Sequence, residues 1–358
     1  NITFKVQGRK VRDPRGGTQY DNNSALCVAD YLTNTSFGLG IPEADIDDTL
    51  LTVAANECDE NVTITGGDPH DRYDCDGSFT VDRTPQDVLE ELVASMAGYV
   101  VYVEGKWKIY AGAYRTPTET LDENELRGPM EIRSLISKTE NFNAVRGVHK
   151  SSAEQYQPTD YVPVQNATYA AEDGETVWRD IALPFTPNPT RAQRLAKIFL
   201  ERVRQPMIVE VKAKLSAFRL QPGEVVMMDN TRLGWSGKPF EVMSGALGLD
   251  NDGALGFDIT LRETGASVYD WNLGEETIVD PEPQSALPNA FLAVAPSSVL
   301  LQSGGDQLFL REDGTIFSRI KVSWTFTQQA FMTNGGKIEI QFRQSPSSLS
   351  SVSIDTPT

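Results

Sequence analysis

The residues with the most chemical potential in this sequence are aspartates between positions 68 and 76. Asp68, Asp71, Asp74 and Asp76 lie close together in the segment DPHDRYDCDG, and carboxylate oxygens at this density suit calcium. Their order does not follow the EF-hand loop, which also needs a glycine at a fixed position and a distal glutamate. A solvated polar loop is therefore favoured, and Asp71, Asp74 and Asp76 are kept as the candidate metal ligands.

Other catalytic arrangements lack support. The two histidines, His70 and His149, lie in unrelated segments, and neither belongs to a motif that supplies a partner. Glu90 and Glu91 are adjacent on a predicted helix, where neighbouring side chains do not face each other. GxSxG, HExxH and Walker-type patterns are absent from the sequence. These observations predict a protein that is not an enzyme and that carries no cofactor.

A group of arginines marks the longest predicted helix. Its four members are Arg191, Arg194, Arg202 and Arg204. We predict that these guanidinium groups contact an acidic neighbouring subunit. The alternative, a solvated helix face with pairs inside the helix, stays open.

Four helices are predicted from apolar periodicity and from residues typical of helix ends. The proline at the first position of two of them and the glycine after one are typical end signals. The predicted helices are Ser24–Leu32 with Ser24 as N-cap, Ala44 to about Asn56, Pro85–Ala97 with Thr84 as N-cap, and Arg191–Arg204 with Thr190 as N-cap.

Strand patterns occupy most of the remaining chain. Ile2–Val11 alternates between apolar and polar residues, and residues 99–111 read as a hairpin. Met207–Glu263 contains four or five short strands with tight turns, which suggest a small barrel. The acidic, proline-rich segment Glu275–Pro288 indicates a linker. The strands that begin at Phe291 suggest a β-sandwich of the fibronectin type III kind.

The length and net charge of the chain limit the kinds of protein it can be. A chain of 358 residues predicts several domains, and 39% hydrophobic residues are enough to build cores. The net charge of -18 argues against a nucleic-acid coat, because phosphate binding requires clustered lysine and arginine. The simpler interpretation of the negative charge is that it keeps the protein soluble. The more specific interpretation is a surface that repels DNA. No apolar run reaches the roughly 18 residues of a membrane span.

The three cysteines leave two possibilities open. No CxxC pair occurs, so a zinc site has little support. Cys58 and Cys75 could close the aspartate-rich loop with a disulfide, whereas an odd count equally fits a reduced cytosolic protein. Because Asn1 leads directly into strand-like sequence, we expect the chain to begin inside a longer protein, and we expect its serine-rich end to be an incomplete piece.

Several blocks of sequence, in order, resemble the central part of the tip attachment (host-specificity) proteins of lambda-like phages. The similarity extends from about Gly8 to Trp271. The blocks are GRKVRDPR, DNNSALCVADYLTNTSFGLGIPEADID, YDCDGSFTVDRTPQDVLEELVASMAGYVVYVEGKWKIYAGAY, NFNAVRG, DIALPFTPNPTRAQRLAKIFLERVRQP, PGEVVMMDNTRLGWSGKPFEV and LRETGASVYDW.

The resemblance implies a structural role. Related hubs form a homotrimer around the tail axis that closes the tail tube and opens to let DNA leave through the lumen without specific binding. Distal tail, tape-measure and tip accessory proteins are the implied partners, and the host receptor would be met by regions outside this chain. The implied location is the tail tip of the virion, assembled in the host cytoplasm. The resemblance implies no catalytic residues.

The combined prediction is an α+β, mainly β, chain of several small domains, including a β-barrel-like hub domain with a packed long helix and a C-terminal β-sandwich. The predicted parts are a strand of a preceding or shared hub barrel (1–20), an α+β insertion (21–130), the barrel with its helix 190–205 (131–274), the linker (275–289) and the fibronectin-like module (290–358), which is expected to be incomplete.

Two alternatives to the hub remain. A carbohydrate-binding or carbohydrate-cleaving tail protein would need an aromatic-lined cleft with two suitably spaced carboxylates. Glu131, Asp160 and Asp180 are too scattered in the sequence to support one on their own. A bacterial surface adhesin built of β-modules would need an export signal.

Overall fold

The fold was analysed in a computed structural model. It describes residues 6–65, 69–117, 119–249, 253–277, 296–325, 337–343 and 349–355. The chain forms two compact units, Asn1–Pro281 and Glu282–Thr358. The fold is mixed, mainly β, with five α-helices and several sheets in the described part of the chain, which confirms the predicted balance of elements.

Three helices and three hairpins form the N-terminal part of the first unit. The elements are β1 (Lys10–Asp13), β2 (Gly17–Tyr20), α1 (Ser24–Thr33), α2 (Asp48–Cys58), β3 (Asn61–Val62), β4 (His70–Asp71), α3 (Pro85–Ala94), β5 (Tyr99–Val103) and β6 (Lys106–Tyr110). β1 pairs with β2, β3 with β4, and β5 with β6, all antiparallel. Asn23 caps α1 by accepting from the amides of Ala25 and Leu26, so the predicted cap, Ser24, is the first helical residue instead.

The middle of the chain adds small sheets and the longest helix. Its elements are β7 (Glu119–Leu121), β8 (Glu131–Arg133), β9 (Ala144–Arg146), β10 (Val148–Ser151), β11 (Gln157–Asp160), β12 (Val164–Gln165), α4 (Ala167–Asp173), β13 (Trp178–Asp180) and α5 (Pro189–Val203). β9 lies between β12 and β13, and β10 pairs with β11. The Asn188 side chain caps α5, because it accepts from the amides of Thr190 and Arg191.

The largest sheet in the described part of the chain has six strands. Two of them, β7 and β8, precede α5. The other four follow it: β14 (Ile208–Lys214), β15 (Val225–Asn230), β16 (Trp235–Leu249) and β17 (Leu255–Glu263). The strand order is β7-β15-β16-β17-β14-β8. Within the described ranges this sheet is open, which corrects the predicted barrel. The two edge strands, β7 and β8, have three residues each and do not pair with each other, so the sheet does not close.

Two hydrophobic clusters fill the first unit. The first joins α1, α2 and α3 to α5, with Leu26, Leu51, Leu92 and Leu195 among its buried residues. The second lies in the six-stranded sheet around Phe240. The predicted boundary between 21–130 and 131–274 therefore does not match the packing. The sequence could not show that α5 completes the core of the preceding helices instead of covering the sheet.

The first and the later predicted parts can be compared with the described elements. β1 pairs with β2 as a local hairpin, and Val11 packs in the first cluster, whereas a barrel that residues 1–20 share with another segment or copy stays a prediction. In the predicted linker 275–289, residues 275–277 belong to the described part, whereas 278–289 lie outside it.

The second unit contains three strand pairs in its described residues. Its strands are β18 (Ser297–Gln302), β19 (Leu308–Leu310), β20 (Ile316–Ser318), β21 (Lys321–Thr325), β22 (Lys337–Arg343) and β23 (Leu349–Asp355). β18 pairs with β21, β19 with β20, and β22 with β23, all antiparallel. These separate pairs do not reproduce the predicted fibronectin-like sandwich, and its predicted first strand, residues 291–293, lies outside the described ranges.

Candidate functional site

The first turns of α5 bury two arginines that the sequence placed at a subunit contact. Arg191 is only 2% exposed. Its Nη1 lies 2.6 Å from Oδ2 of Asp74, and its Nη2 donates to the Asp71 carbonyl at 2.8 Å. Arg194, equally buried, donates to the Arg72 carbonyl. Both guanidinium groups therefore hold the segment at 71–74 against α5.

The other two predicted interface arginines also bind within the chain. Arg202 donates to the Ala97 carbonyl at 2.5 Å and lies over the Tyr269 ring. Arg204 forms ion pairs of 2.9 Å with Glu172 and Asp173 at the end of α4. The expectation of a subunit contact or a solvated face is wrong for Arg191 and Arg194, which are buried. For Arg202 and Arg204 the structure supplies partners from the same chain.

The aspartates considered as metal ligands have separate environments. Asp74 forms an ion pair with Arg191. Asp71 is exposed, and Asp76 accepts a hydrogen bond from the Asn22 side-chain amide at 3.4 Å. Burial outweighs the Arg191 charge and raises the pKa of Asp74 to about 6. Among the described residues, which omit Asp68, no group of three potential ligands is placed to hold a metal. The predicted solvated loop therefore needs correction at Asp74, which belongs to a partly buried ion pair.

Both histidines have environments that disfavour protonation. His70 lies beside Arg191 and Arg194, and burial together with these positive charges lowers its pKa to about 4. His149 is buried in β10, and burial lowers its pKa, although a backbone hydrogen bond with Thr186 opposes the change. In both cases burial is the largest cause of the lowered pKa.

These histidines predict acid sensitivity. The pKa values of both histidines are lower in the folded state than in the unfolded state, so the unfolded chain binds more protons below pH 6.5. The free energy of unfolding therefore decreases as the pH falls from 6.5 towards 4. We expect the melting temperature of a His70→Gln/His149→Gln variant to change less between pH 7 and pH 4.5 than that of the wild type. Asp74, whose raised pKa acts in the opposite direction, is common to both proteins and cancels in the comparison. Equal pH slopes in calorimetry would contradict the prediction.

A cleft of about 650 Å³ opens beside α1. Its aromatic lining consists of Tyr20, Tyr31, Phe37, Phe79, Tyr156 and Phe185, and its carboxylates are Asp21, Asp30 and Asp76. The Phe79 ring makes edge contacts with those of Tyr31 and Phe185 at centroid distances of 5.5 and 6.3 Å. Aromatic side chains are one part of what the carbohydrate alternative required, and the carboxylates here differ from Glu131, Asp160 and Asp180. The separation along the chain of residues 20–37, 76–79 and 156–185 explains why the cleft was not predicted.

The hairpin formed by β16 and β17 carries an exposed apolar surface. Leu249 pairs with Leu255 and Leu247 pairs with Phe257, so alternate residues share one face. Phe218 makes an edge contact with Phe257 at 5.5 Å. Four of these side chains stand in solvent: Phe218 (54% exposed), Leu247 (57%), Leu249 (73%) and Leu255 (48%). We call these four residues the hairpin strip.

One edge of the same hairpin has no strand partner among the described residues. β15 pairs with β16 only as far as Glu241, and the Val242 amide then donates to the Glu224 carbonyl at 2.8 Å. From Ser244 to Leu249 the strand register pairs β16 with β17 alone. The outer edge of this stretch therefore offers main-chain donors and acceptors to another strand. The sequence predicted short strands in the region Met207–Glu263, but not this edge.

The described helices contain no segment that is both long and apolar enough to cross a membrane.

One protein family and several solved structures are similar to this chain. Residues 84–243 match the family described as "Putative phage tail protein". A chain from the virion of a native gene transfer agent particle is 16% identical, with a TM-score of 0.43 and 56% of this chain covered. This chain spans 43% of the length of that one.

Two solved tail proteins are also similar. The tail protein of Neisseria meningitidis MC58 is 17% identical, with a TM-score of 0.41 over 62% of this chain and 68% of its own. The 43 kDa tail protein of prophage MuSo2 from Shewanella oneidensis is 14% identical, with a TM-score of 0.38 over 71% of this chain and 67% of its own. Residues 84–243, which include α5 and most of the six-stranded sheet, are similar in sequence to a phage tail protein family.

Proposed function

We propose that this chain is a non-enzymatic structural hub of a phage tail tip, which assembles as a homotrimeric ring that closes the tail tube. The match of residues 84–243 to phage tail proteins supports a place in the tail. The observation that carries the ring is the hairpin strip beside the free edge of β16. Apolar side chains and unpaired main-chain groups at one place are the two features that strand addition by another copy requires.

The contact would be the same on every copy. A ring of identical subunits joins one surface of each copy to a different surface of the next, and the ring closes when the rotation allows it. In this proposal the outer edge of β16, residues 244–249, accepts a strand from the neighbouring copy, and the hairpin strip is covered in the process. Burial of four large apolar side chains would favour association by roughly 25 cal/mol for each Å² covered.

The hub's other roles follow from the same proposal. Three copies carry a formal charge of -54, three times -18, and an acidic lumen would let DNA slide without adsorption. The distal tail, tape-measure and tip accessory proteins are the proposed partners, with assembly in the host cytoplasm. The ring would open to release the genome, and receptor-binding regions would lie outside this chain.

The test is the oligomeric state of the purified full chain. We expect light scattering to give the mass of a trimer at tens of micromolar protein, and the Leu247→Glu/Leu249→Glu variant to remain a monomer. Two new charges would have to be buried at the contact, and each costs several kcal/mol without a partner. The matched control is Val53→Glu, which places the same charge at a 40% exposed aliphatic position on α2 and should leave the trimer intact.

Two results would count against the proposal. The first is a wild-type chain that stays monomeric at high concentration and shows no ring in images of isolated tails. The second is a trimer that the Leu247→Glu/Leu249→Glu change leaves unaltered, which would move the contact to another surface.

A further inference from the structure

Two cysteines from distant parts of the sequence meet beside the cleft. Cys27 lies on the first turn of α1, and Cys75 lies in the segment that leads from β4 to α3. Both line the cleft, and both belong to the first hydrophobic cluster. The Cys27 thiol donates to the Asp21 carbonyl at 3.9 Å, and the neighbouring Cys27 side chain together with burial raises the pKa of Cys75. Sequence reasoning weighed a different pair, Cys58 with Cys75, and all three cysteines are free in this structure.

The main chain holds these thiols in place from both sides. Asn23 and Asp74 form an antiparallel bridge. The Cys75 amide donates to the Asn22 carbonyl at 2.7 Å, and the Cys27 amide donates to the Asn23 carbonyl at 3.0 Å. A disulfide needs adjacent backbones with their Cα atoms within about 7 Å. These contacts put Cys75 beside Asn22 and Asn23, and Cys27 lies one helical turn after Asn23, so we expect the bond to require little backbone movement.

We propose that Cys27 and Cys75 are an oxidation site, at which a disulfide forms when the chain leaves a reducing compartment. The inference rests on the geometry of the two thiols and does not depend on the proposed function. Cys27 is half-buried and faces the cleft, so a small oxidant can reach it. Cys58 is fully buried at the end of α2, and burial raises the pKa of its thiol, which disfavours the reactive thiolate.

The reaction is a thiol–disulfide exchange with a small disulfide such as oxidised glutathione. The Cys27 thiolate attacks one sulfur of oxidised glutathione, a mixed disulfide forms, and one glutathione leaves as a thiolate that takes up a proton. The Cys75 thiol then loses its proton to solvent and displaces the second glutathione. Two protein thiols are oxidised by two electrons, and one oxidised glutathione is reduced to two glutathione molecules. Burial raises the pKa of Cys75, so the second step is expected to be the slow one.

The bond would lock α1 to the segment that precedes α3. It would close a loop of about 48 residues and restrict the unfolded chain, which raises the melting temperature. We expect an increase of about 5 °C on oxidation. The same bond would fix the wall of the cleft formed by these two segments.

The test is peptide mapping after oxidation of the full chain. The purified protein is incubated with oxidised glutathione at pH 8, remaining thiols are alkylated, and the digest is kept non-reducing. Trypsin alone is insufficient, because Cys27 and Cys58 share the peptide from Gly16 to Arg72. Additional cleavage after Glu43 and Glu57 places Cys27, Cys58 and Cys75 in three separate peptides.

We expect one cross-linked species, which joins the Cys27 and Cys75 peptides, together with an alkylated Cys58. The Cys58→Ser variant should give the same cross-link and the same increase in melting temperature, whereas Cys27→Ser should give neither. A cross-link that contains Cys58 would overturn the proposal. So would a stable glutathione adduct on Cys27 with Cys75 still alkylated. Mapping of the wild type decides the matter even if a variant folds poorly.

Discussion

Replacement of Arg191 by alanine is expected to lower the free energy of unfolding by about 3–5 kcal/mol. The change leaves the partly buried Asp74 carboxylate without its cation and the Asp71 carbonyl without its donor. An unpaired charge in such a site costs much more than the pair contributes when it is intact. Urea unfolding followed by far-UV circular dichroism measures the change.

The control for this variant is an exposed arginine with the same kind of partner. Arg12 binds both Asp48 oxygens, at 2.6 and 3.0 Å, but the pair stands in solvent. Arg12→Ala should therefore cost no more than about 1 kcal/mol. An Arg191→Met/Asp74→Asn variant removes both charges and should recover part of the loss. Equal effects of the Arg12 and Arg191 changes would show that burial of Arg191 is not what matters.

Phe240→Ala is expected to cost about 3–5 kcal/mol as well. The Phe240 ring is fully buried in the second hydrophobic cluster, in the middle of the six-stranded sheet, and packs beside Trp235 at a centroid distance of 5.4 Å. Alanine would leave a cavity that the surrounding strands fill only in part. The change in unfolding free energy is measured in urea, as for Arg191.

Phe218 provides the matched control, because its ring is 54% exposed. We expect Phe218→Ala to cost about 1 kcal/mol or less, since little surface is removed from contact with the core. If Phe240→Ala cost as little, the sheet would lack the packed core described above. Its hairpin would then lack the rigid support that the proposed ring needs.

The sequence predicted the helices better than the tertiary arrangement. Apolar periodicity placed α1, α3 and α5 correctly, because a helix that buries one face must repeat its apolar residues every three or four positions. The ends were less accurate. Asn23 and Asn188 cap α1 and α5, one and two residues before the predicted caps Ser24 and Thr190, since each of these residue types is a competent cap and local sequence does not choose between them.

The buried polar contacts were beyond prediction from sequence. In the sequence, Arg191 and Arg194 look like residues on a solvent-exposed helix face. In the structure they donate to main-chain carbonyls that lie about 120 residues away in the sequence. The sheet order was similarly hidden, because β7 lies beside β15 and β8 beside β14, far apart in the chain. The cysteine partners also depend on these long-range contacts, so spacing alone suggested Cys58 where the fold supplies Cys27.

The position of α5 has a consequence for synthesis on the ribosome. Residues up to 111 form most of the first cluster, yet α5 supplies five more of its buried residues and the arginines that hold residues 71–72 and 97. At about 5–20 residues per second, the intervening 80 or so residues take roughly 4–16 s to emerge. During that interval the nascent chain exposes an unfinished core, and we expect it to be open to capture by chaperones.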